Sequence, residues 1–211
     1  MADRDARRVG GTEGYAESAD ALAEQYEGIA FADVHRGILH LLPTAPGRVL
    51  DIGAGTGRDA AALAALGHRV VAVEPTAELR AHGQRLHPSP RIAWIDDALP
   101  ELDRVHERGE LFDLIMLTAV WMHLDEAERI RAMPNVAALA KAGAAVAMTI
   151  RHGPVPPGRR MFAVSAEETI GLAATHALYP VLNQHRQSTQ AENRAAGITW
   201  TVLAFVKAAG A

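Results

Sequence analysis

The sequence predicts an α/β fold built on a Rossmann-like, mostly parallel sheet with helices on both faces. Three observations carry this expectation. First, Val49 to Ile52 has strand character and runs straight into three glycines at alternate positions, Gly53, Gly55 and Gly57, with an Ala/Leu-rich helical segment (Ala60 to Leu66) directly behind. Strand, glycine turn and helix form the opening of a βαβ unit. Second, further short apolar runs alternate with helical patterns, as parallel strands buried on both faces do. Third, 211 residues with 49% hydrophobic content are enough for one domain with a real core.

Residues 1 to 11 are polar and Gly-rich and are expected to fray. From Gly14 to Leu42 the apolar positions fall at helical spacing (Tyr15, Ala19, Leu22, Ala23, Tyr26, then Ile29, Val34, Ile38, Leu41), which predicts two helices with a break near Gly28. Pro43 and Pro46-Gly47 close this preface ahead of the first strand. After the glycine turn, Gly67 to Glu74 reads as the second strand, and Pro75-Thr76 as a helix start with Thr76 as N-cap. Ile92 to Ile95 is the third strand and Leu111 to Leu117 the fourth. The next helix, Leu124 to Lys141, carries acids early and Lys141 late, and Pro134 is expected to bend or split it. Gly143 ends it and Ala144 to Ile150 is the fifth strand. A Pro/Gly loop with cations (Arg151 to Arg160) leads to a helix opened by Ser165, with Glu167 and Glu168 in its first turn, running to about Ala177. Tyr179 to Asn183 and Thr199 to Lys207 are read as two last strands joined by a polar loop.

The glycine turn narrows the ligand. Its backbone turns with φ > 0, lets a ligand lie against bare main chain, and leads into a helix start with free N–H groups. A dinucleotide fingerprint requires G-x-G-x-x-G, and the position of its third glycine is taken by Arg58, which disfavours an NAD-dependent dehydrogenase. The chain reads Asp51-Ile-Gly-Ala-Gly-Thr-Gly57 instead. This stretch resembles motif I of class I S-adenosylmethionine (SAM)-dependent methyltransferases of the small-molecule, bacterial-like type. The resemblance covers about residues 14 to 207. It implies seven strands with an antiparallel last strand beside the fifth, a single domain over residues 1–211, a helical lid over 14–42 and a core over 43–207.

The resemblance also assigns residues. Glu74 lies about 20 residues beyond the first glycine, where an acid meets a ribose diol in a βαβ nucleotide site. An Asp-Ala pair after the third strand resembles the family motif whose acid accepts the adenine amino group, and Asp97, followed by Ala98 and Leu99, fits it better than Asp96. The expected SAM contacts are thus Asp51, Gly53, Ala54, Gly55, Gly57, Arg58, Asp59, Glu74, Pro75, Asp97, Ala98, Leu99 and Thr118. The fourth-strand exit, Thr118 to His123, faces the ligand end of the sheet. There Trp121 is a candidate apolar wall and His123 a candidate general base, as the side chain best poised for proton transfer near neutral pH. His152 is a second candidate base. Tyr15, Tyr26 and Arg151 complete the expected acceptor contacts, against the plainer reading that both tyrosines only pack the preface onto the sheet. Asp113, at the fourth strand's entrance, has a structural role in the family.

Composition limits the partners. A formal charge of −4 and no basic face argue against nucleic acid and anionic membrane. The absence of cysteine excludes disulfides, thiolate metal sites and a Cys nucleophile, and no metal is expected. No apolar run spans a bilayer and the first residues lack a signal-peptide core, so a cytoplasmic monomer or homodimer is expected. The fourth-strand exit also lacks the Asn/Asp-Pro-Pro-aromatic motif of amino-methylating nucleic-acid enzymes. A small-molecule N, O, S or C nucleophile is therefore the expected methyl acceptor. A methyltransferase acting on protein or RNA and a SAM-binding module without catalysis are the alternatives.

Overall fold

In the computed structural model, described here for residues 9–209, seven strands form one sheet in the order β3-β2-β1-β4-β5-β7-β6. The strands are β1 (Arg48–Ile52), β2 (Arg69–Val73), β3 (Ile92–Ile95), β4 (Phe112–Thr118), β5 (Ala140–His152), β6 (Leu178–Gln187) and β7 (Thr199–Lys207). The first five are mutually parallel, and β7 runs antiparallel between β5 and β6. This is the predicted mostly parallel, Rossmann-like sheet. The expectation of a frayed start falls largely on residues 1–8, outside the described residues.

The helices are α1 (Ala19–Glu27), α2 (Phe31–Val34), α3 (Arg58–Ala65), α4 (Ala77–Leu86), α5 (Asp103–His106), α6 (Glu126–Leu139), α7 (Ala166–Ala174) and α8 (Ala191–Ala195). Alternate strand residues serve two cores. One face sends Leu50, Val71, Ile115, Val146 and Met148 against α5, α6 and α7 through Val105, Met133, Val136 and Ala173. The other sends Val49, Val70, Leu114, Met116 and Ala147 against Ala60, Leu63 and Ala64 of α3 and against Ile38. The central strands are therefore apolar on both faces, which is why they read as unbroken hydrophobic runs.

Four boundaries differ from the sequence reading, each for a local reason. The preface holds one helix of length, α1; beyond Gly28 the chain makes only the single turn of α2 and a 3-10 turn at Leu39–Leu41, interrupted at Gly37. Pro134 does not split α6. The helix starts on a full capping box, Asp125 and Glu128 each accepting the other's backbone N–H, and it is fixed to the sheet by buried Met133 and Val136, so packing outweighs one missing hydrogen bond. β5 begins at Ala140, bulging around Gly143 (φ 79°) before pairing regularly with β4 from Ala145. β6 extends to Gln187 because β7 offers a continuous partner, and the polar loop contains the short α8.

At the amino ends of the strands, Asp113 accepts the Arg48 N–H at 2.8 Å and pairs with Lys141 at 2.7 Å, tying β4 to β1 and β5. Among the described residues no helix is long and apolar enough to cross a membrane.

Candidate active site

The carboxyl ends of β1, β2, β4 and β5 open into a cavity, where the loop-to-helix connections leave a crevice in a sheet of this order. The glycine turn forms its floor. Gly53 (φ 69°) and Ala54 donate their N–H groups to the Val73 carbonyl at 2.8 and 2.9 Å, which fastens the turn to β2. A Cβ on Gly53 would lie 2.4 Å from Val120 Cγ2, so only glycine permits the turn to approach the exit of β4 this closely. Gly57 (φ 83°) caps α3 instead of lining the cavity, and its missing Cβ leaves room for the Trp94 ring.

Three acids stand at the strand exits here, two of them satisfied by backbone N–H groups and one not. Glu74, 5% exposed, accepts the Gly55 N–H on Oε2 and the Thr76 N–H on Oε1, both at 2.8 Å. Burial raises its pKa, and those backbone bonds oppose the rise. Each oxygen keeps a second lone pair for an incoming hydroxyl. Asp97 is arranged similarly, accepting from Ala98 and Val105 N–H at 2.9 and 3.0 Å. Asp51 differs: its Oδ2 is buried without a partner, and burial together with neighbouring Asp59 drives its pKa well above the usual carboxylate range. A buried carboxyl oxygen left unpaired is costly, so this is a place for a hydrogen-bond-donating or cationic ligand group.

Asp59 has no such capacity. Its Oδ2 accepts from Thr118 Oγ1 at 2.9 Å and meets His35 Nε2 at 2.7 Å, while Oδ1 accepts from Arg58 Nε at 2.8 Å. The carboxyl is held below the usual range by His35 and Arg58 against the opposing effect of burial. It ties the end of α2, α3 and β4 together at the cavity floor.

Above the turn lies the preface. The Tyr26 ring sits 3.5 Å from where a Gly55 Cβ would be. Tyr15 OH is 3.0 Å from His123 Nε2, and His123 Nδ1 is 2.7 Å from the Arg160 carbonyl. A carbonyl only accepts, so Nδ1 carries the hydrogen, Nε2 is the acceptor and Tyr15 donates to it. His123 is buried and its pKa is lowered, by desolvation first; Tyr15 is shifted upward by its own burial. Arg159 stacks 3.8 Å from the centre of the Tyr15 ring. The arrangement is a neutral imidazole fixed in one tautomer, bonded to a phenol at the cavity wall.

The cavity gathers most of the residues singled out in the sequence: Tyr15, Tyr26, Asp51, Gly53, Ala54, Gly55, Arg58, Asp59, Glu74, Pro75, Asp97, Ala98, Leu99, Thr118 and His123 all line it. Besides Gly57, three others lie elsewhere. Trp121 is fully buried in the core on the α6 face, and the neighbour that reaches the cavity is Val120. His152 faces the opposite side of β5 from Arg151, meeting Thr201 Oγ1 at 2.8 Å and stacking near His185. Arg151 does not line the cavity and donates to the Pro154 carbonyl. The sequence reading missed Gly11, Arg186, Ser188, Thr189, Gln190 and Trp200, which also line the cavity. For Trp200 a signal existed: the antiparallel pairing of β7 with β5 puts the start of β7 beside the exit of β5.

Residues 49–143 match a family model described as a methyltransferase domain. A search of curated proteins finds no match. Among solved structures, the chain is similar to a 1,6-didemethyltoxoflavin-N1-methyltransferase from Burkholderia thailandensis, crystallised with 1,6-didemethyltoxoflavin and S-adenosylhomocysteine (SAH). The two share 23% identity and a TM-score of 0.62, over 97% of this chain and 83% of the other. It is also similar to the N-methyltransferase NodS from Bradyrhizobium japonicum bound to SAH (18% identity, TM-score 0.69, 91% and 97% covered). A third is a SAM-dependent methyltransferase from Methanosarcina mazei (16%, TM-score 0.67, 82% and 97%). At these identities the likeness is one of fold.

Proposed function

We propose that this methyltransferase domain transfers a methyl group from SAM to a small-molecule nucleophile. The observation that carries the reading is the convergence, on one cavity, of a glycine turn ringed by hydrogen-bonding acids and a tyrosine–histidine pair. When bound, SAM supplies a methyl group already activated on a sulfonium, so no covalent enzyme intermediate is needed.

The fit to SAM is argued from three groups. Glu74 retains a lone pair on each oxygen for a ribose diol, and Asp97 retains acceptor capacity for an adenine amino group. The unpaired Asp51 Oδ2 would accept from the amino acid end of the methyl donor. Gly53, Ala54 and Gly55 offer bare backbone, with Pro75, Ala98, Leu99 and Thr118 completing the walls. The preface, residues 14–42, serves as a lid on the core of residues 43–207, with Tyr15 and Tyr26 excluding water from the reacting atoms. Holding nucleophile and methyl in line in such a site is worth about 7–11 kcal/mol.

His123 acts as the base for a nucleophile that must lose a proton. Its Nδ1 hydrogen is committed to the Arg160 carbonyl, so Nε2 is the atom that takes the proton, either directly or through the Tyr15 hydroxyl. Calorimetry with SAM, SAH and NAD tests the methyl-donor assignment: binding of the first two and not the third is expected, and no SAM or SAH binding at millimolar concentration overturns it. Labelled SAM with a panel of small amines, phenols and carboxylic acids then tests the acceptor class.

A further inference from the structure

At the far end of the cavity from Glu74 and Asp97, three strands present one residue each in register. Arg151 of β5 pairs with Trp200 of β7, which pairs with Arg186 of β6. Directly paired residues in adjacent strands point to the same face, so Arg151, Trp200 and Arg186 share one face of the sheet, the two arginine Cα atoms roughly 10 Å apart across two antiparallel spacings. Trp200 and Arg186 line the cavity, joined by Ser188, Thr189 and Gln190 from the turn that follows β6.

Arg186 is set apart from the paired arginines near the site, Arg58 and Arg160, by a buried Nε with no partner. Arg58 is paired with Asp59, and Arg160 with Asp125 and Glu128. Arg186 has no carboxylate partner among the described residues; it donates through Nη2 to the Val34 carbonyl, and its Nε hydrogen is buried without an acceptor. Beyond burial, the charge acting on it is Arg36, of the same sign. Arg151 likewise has no carboxylate partner there, only the Pro154 carbonyl. A half-buried guanidinium with an unmet N–H is a cost to the folded protein. Its planar fork matches an oxyanion, to which two parallel N–H groups bond.

We propose that the methyl acceptor carries an oxyanion, carboxylate or phosphate, seated on Arg186 beside the indole of Trp200. This rests on the reading of the cavity as a methyltransferase site. Arg186 is then a specificity-determining residue: it rejects neutral analogues of the acceptor because they leave its N–H group unmet.

The test is calorimetry on the full chain saturated with SAH, titrated separately with benzoate, phenylphosphonate and neutral benzamide. Benzoate or phenylphosphonate is expected to bind at least tenfold more tightly than benzamide, and the tighter of the two identifies the oxyanion. In R186Q that preference is expected to vanish, while SAH affinity stays within about twofold, which also shows that the variant is folded. R186K, which keeps the charge but loses the fork, is expected to retain part of the preference. Equal binding of benzoate, phenylphosphonate and benzamide, no binding of either anion, or a preference that survives in R186Q each overturns the proposal. Failure of SAH to bind the wild-type chain is the separate sign that the methyltransferase reading itself is wrong.

Discussion

The two halves of the cavity are built differently. The half around Glu74 and Asp97 is made from consecutive strand exits, with its acids answering backbone N–H groups of their own turns. The half around Tyr15, His123 and Arg186 draws on the preface, the exit of β4 and the last hairpin, and its polar contacts are between side chains far apart in sequence or with distant carbonyls. One half depends on backbone geometry, so its chemistry is preset by the turn. The other depends on rotamers brought together by folding, so it can vary while the sheet stays the same. A scaffold of this kind keeps one ligand fixed and lets the other change.

Substitutions sharpen that contrast, beginning with the largest effect. His123→Ala is expected to reduce turnover by about 10²–10⁴-fold for a nucleophile that must shed a proton, the usual worth of a positioned base, with SAM affinity nearly unchanged. Single-turnover rates and calorimetry separate the two; surviving turnover removes the base role. Gly53→Ala attacks the other half. The methyl would land 2.4 Å from Val120 Cγ2 at a φ of 69°, so a loss on the order of 3 kcal/mol in unfolding free energy is expected, with SAM affinity falling alongside. A denaturation midpoint equal to wild type would show that the contact relaxes cheaply. Glu74→Ala is expected to weaken SAM by about 1.5–3 kcal/mol, the range for hydrogen bonds to a charged group. Unchanged affinity would make Glu74 a clamp for the glycine turn alone.

The smallest effect is on pH. Burial holds the His123 pKa below its ordinary value of 6.5, so the unfolded chain binds the proton more readily than the folded one. Its contribution to stability is therefore fully present above about pH 6.5 and declines as pH falls from there toward the folded value. Turnover should accordingly persist somewhat below pH 6.5 before the imidazole protonates. His123→Asn should flatten that limb of both profiles; an unaltered acid limb would assign it to another group.

The same difference explains what was legible in the sequence. Gly53, Gly55 and Glu74 were legible because local spacing fixes their place at strand exits, and Asp97 because the Asp-Ala pair after the third strand resembles a family motif. Helix α6 was legible too, except at Pro134, where tertiary packing overrides a local breaker. Trp121 and His152 were drawn to the site by nearness in sequence to strand exits, but the side a residue faces depends on register and twist, and both point away from the cavity. Arg186 was illegible for the opposite reason, whereas Trp200 was marked by the expected pairing of the last strand beside β5. Nothing local marks Arg186, and only the pairing of β6 with β7 brings it to the cavity.

The preface crosses both halves: Tyr26 rests over Gly55 while Tyr15, eleven residues earlier in the same stretch, touches His123. A ligand that settles beneath Tyr26 is therefore expected to set the wall around His123 for a second molecule. Steady-state kinetics should reveal a compulsory sequence, SAM first and acceptor second. SAH would then leave last and inhibit competitively only toward SAM.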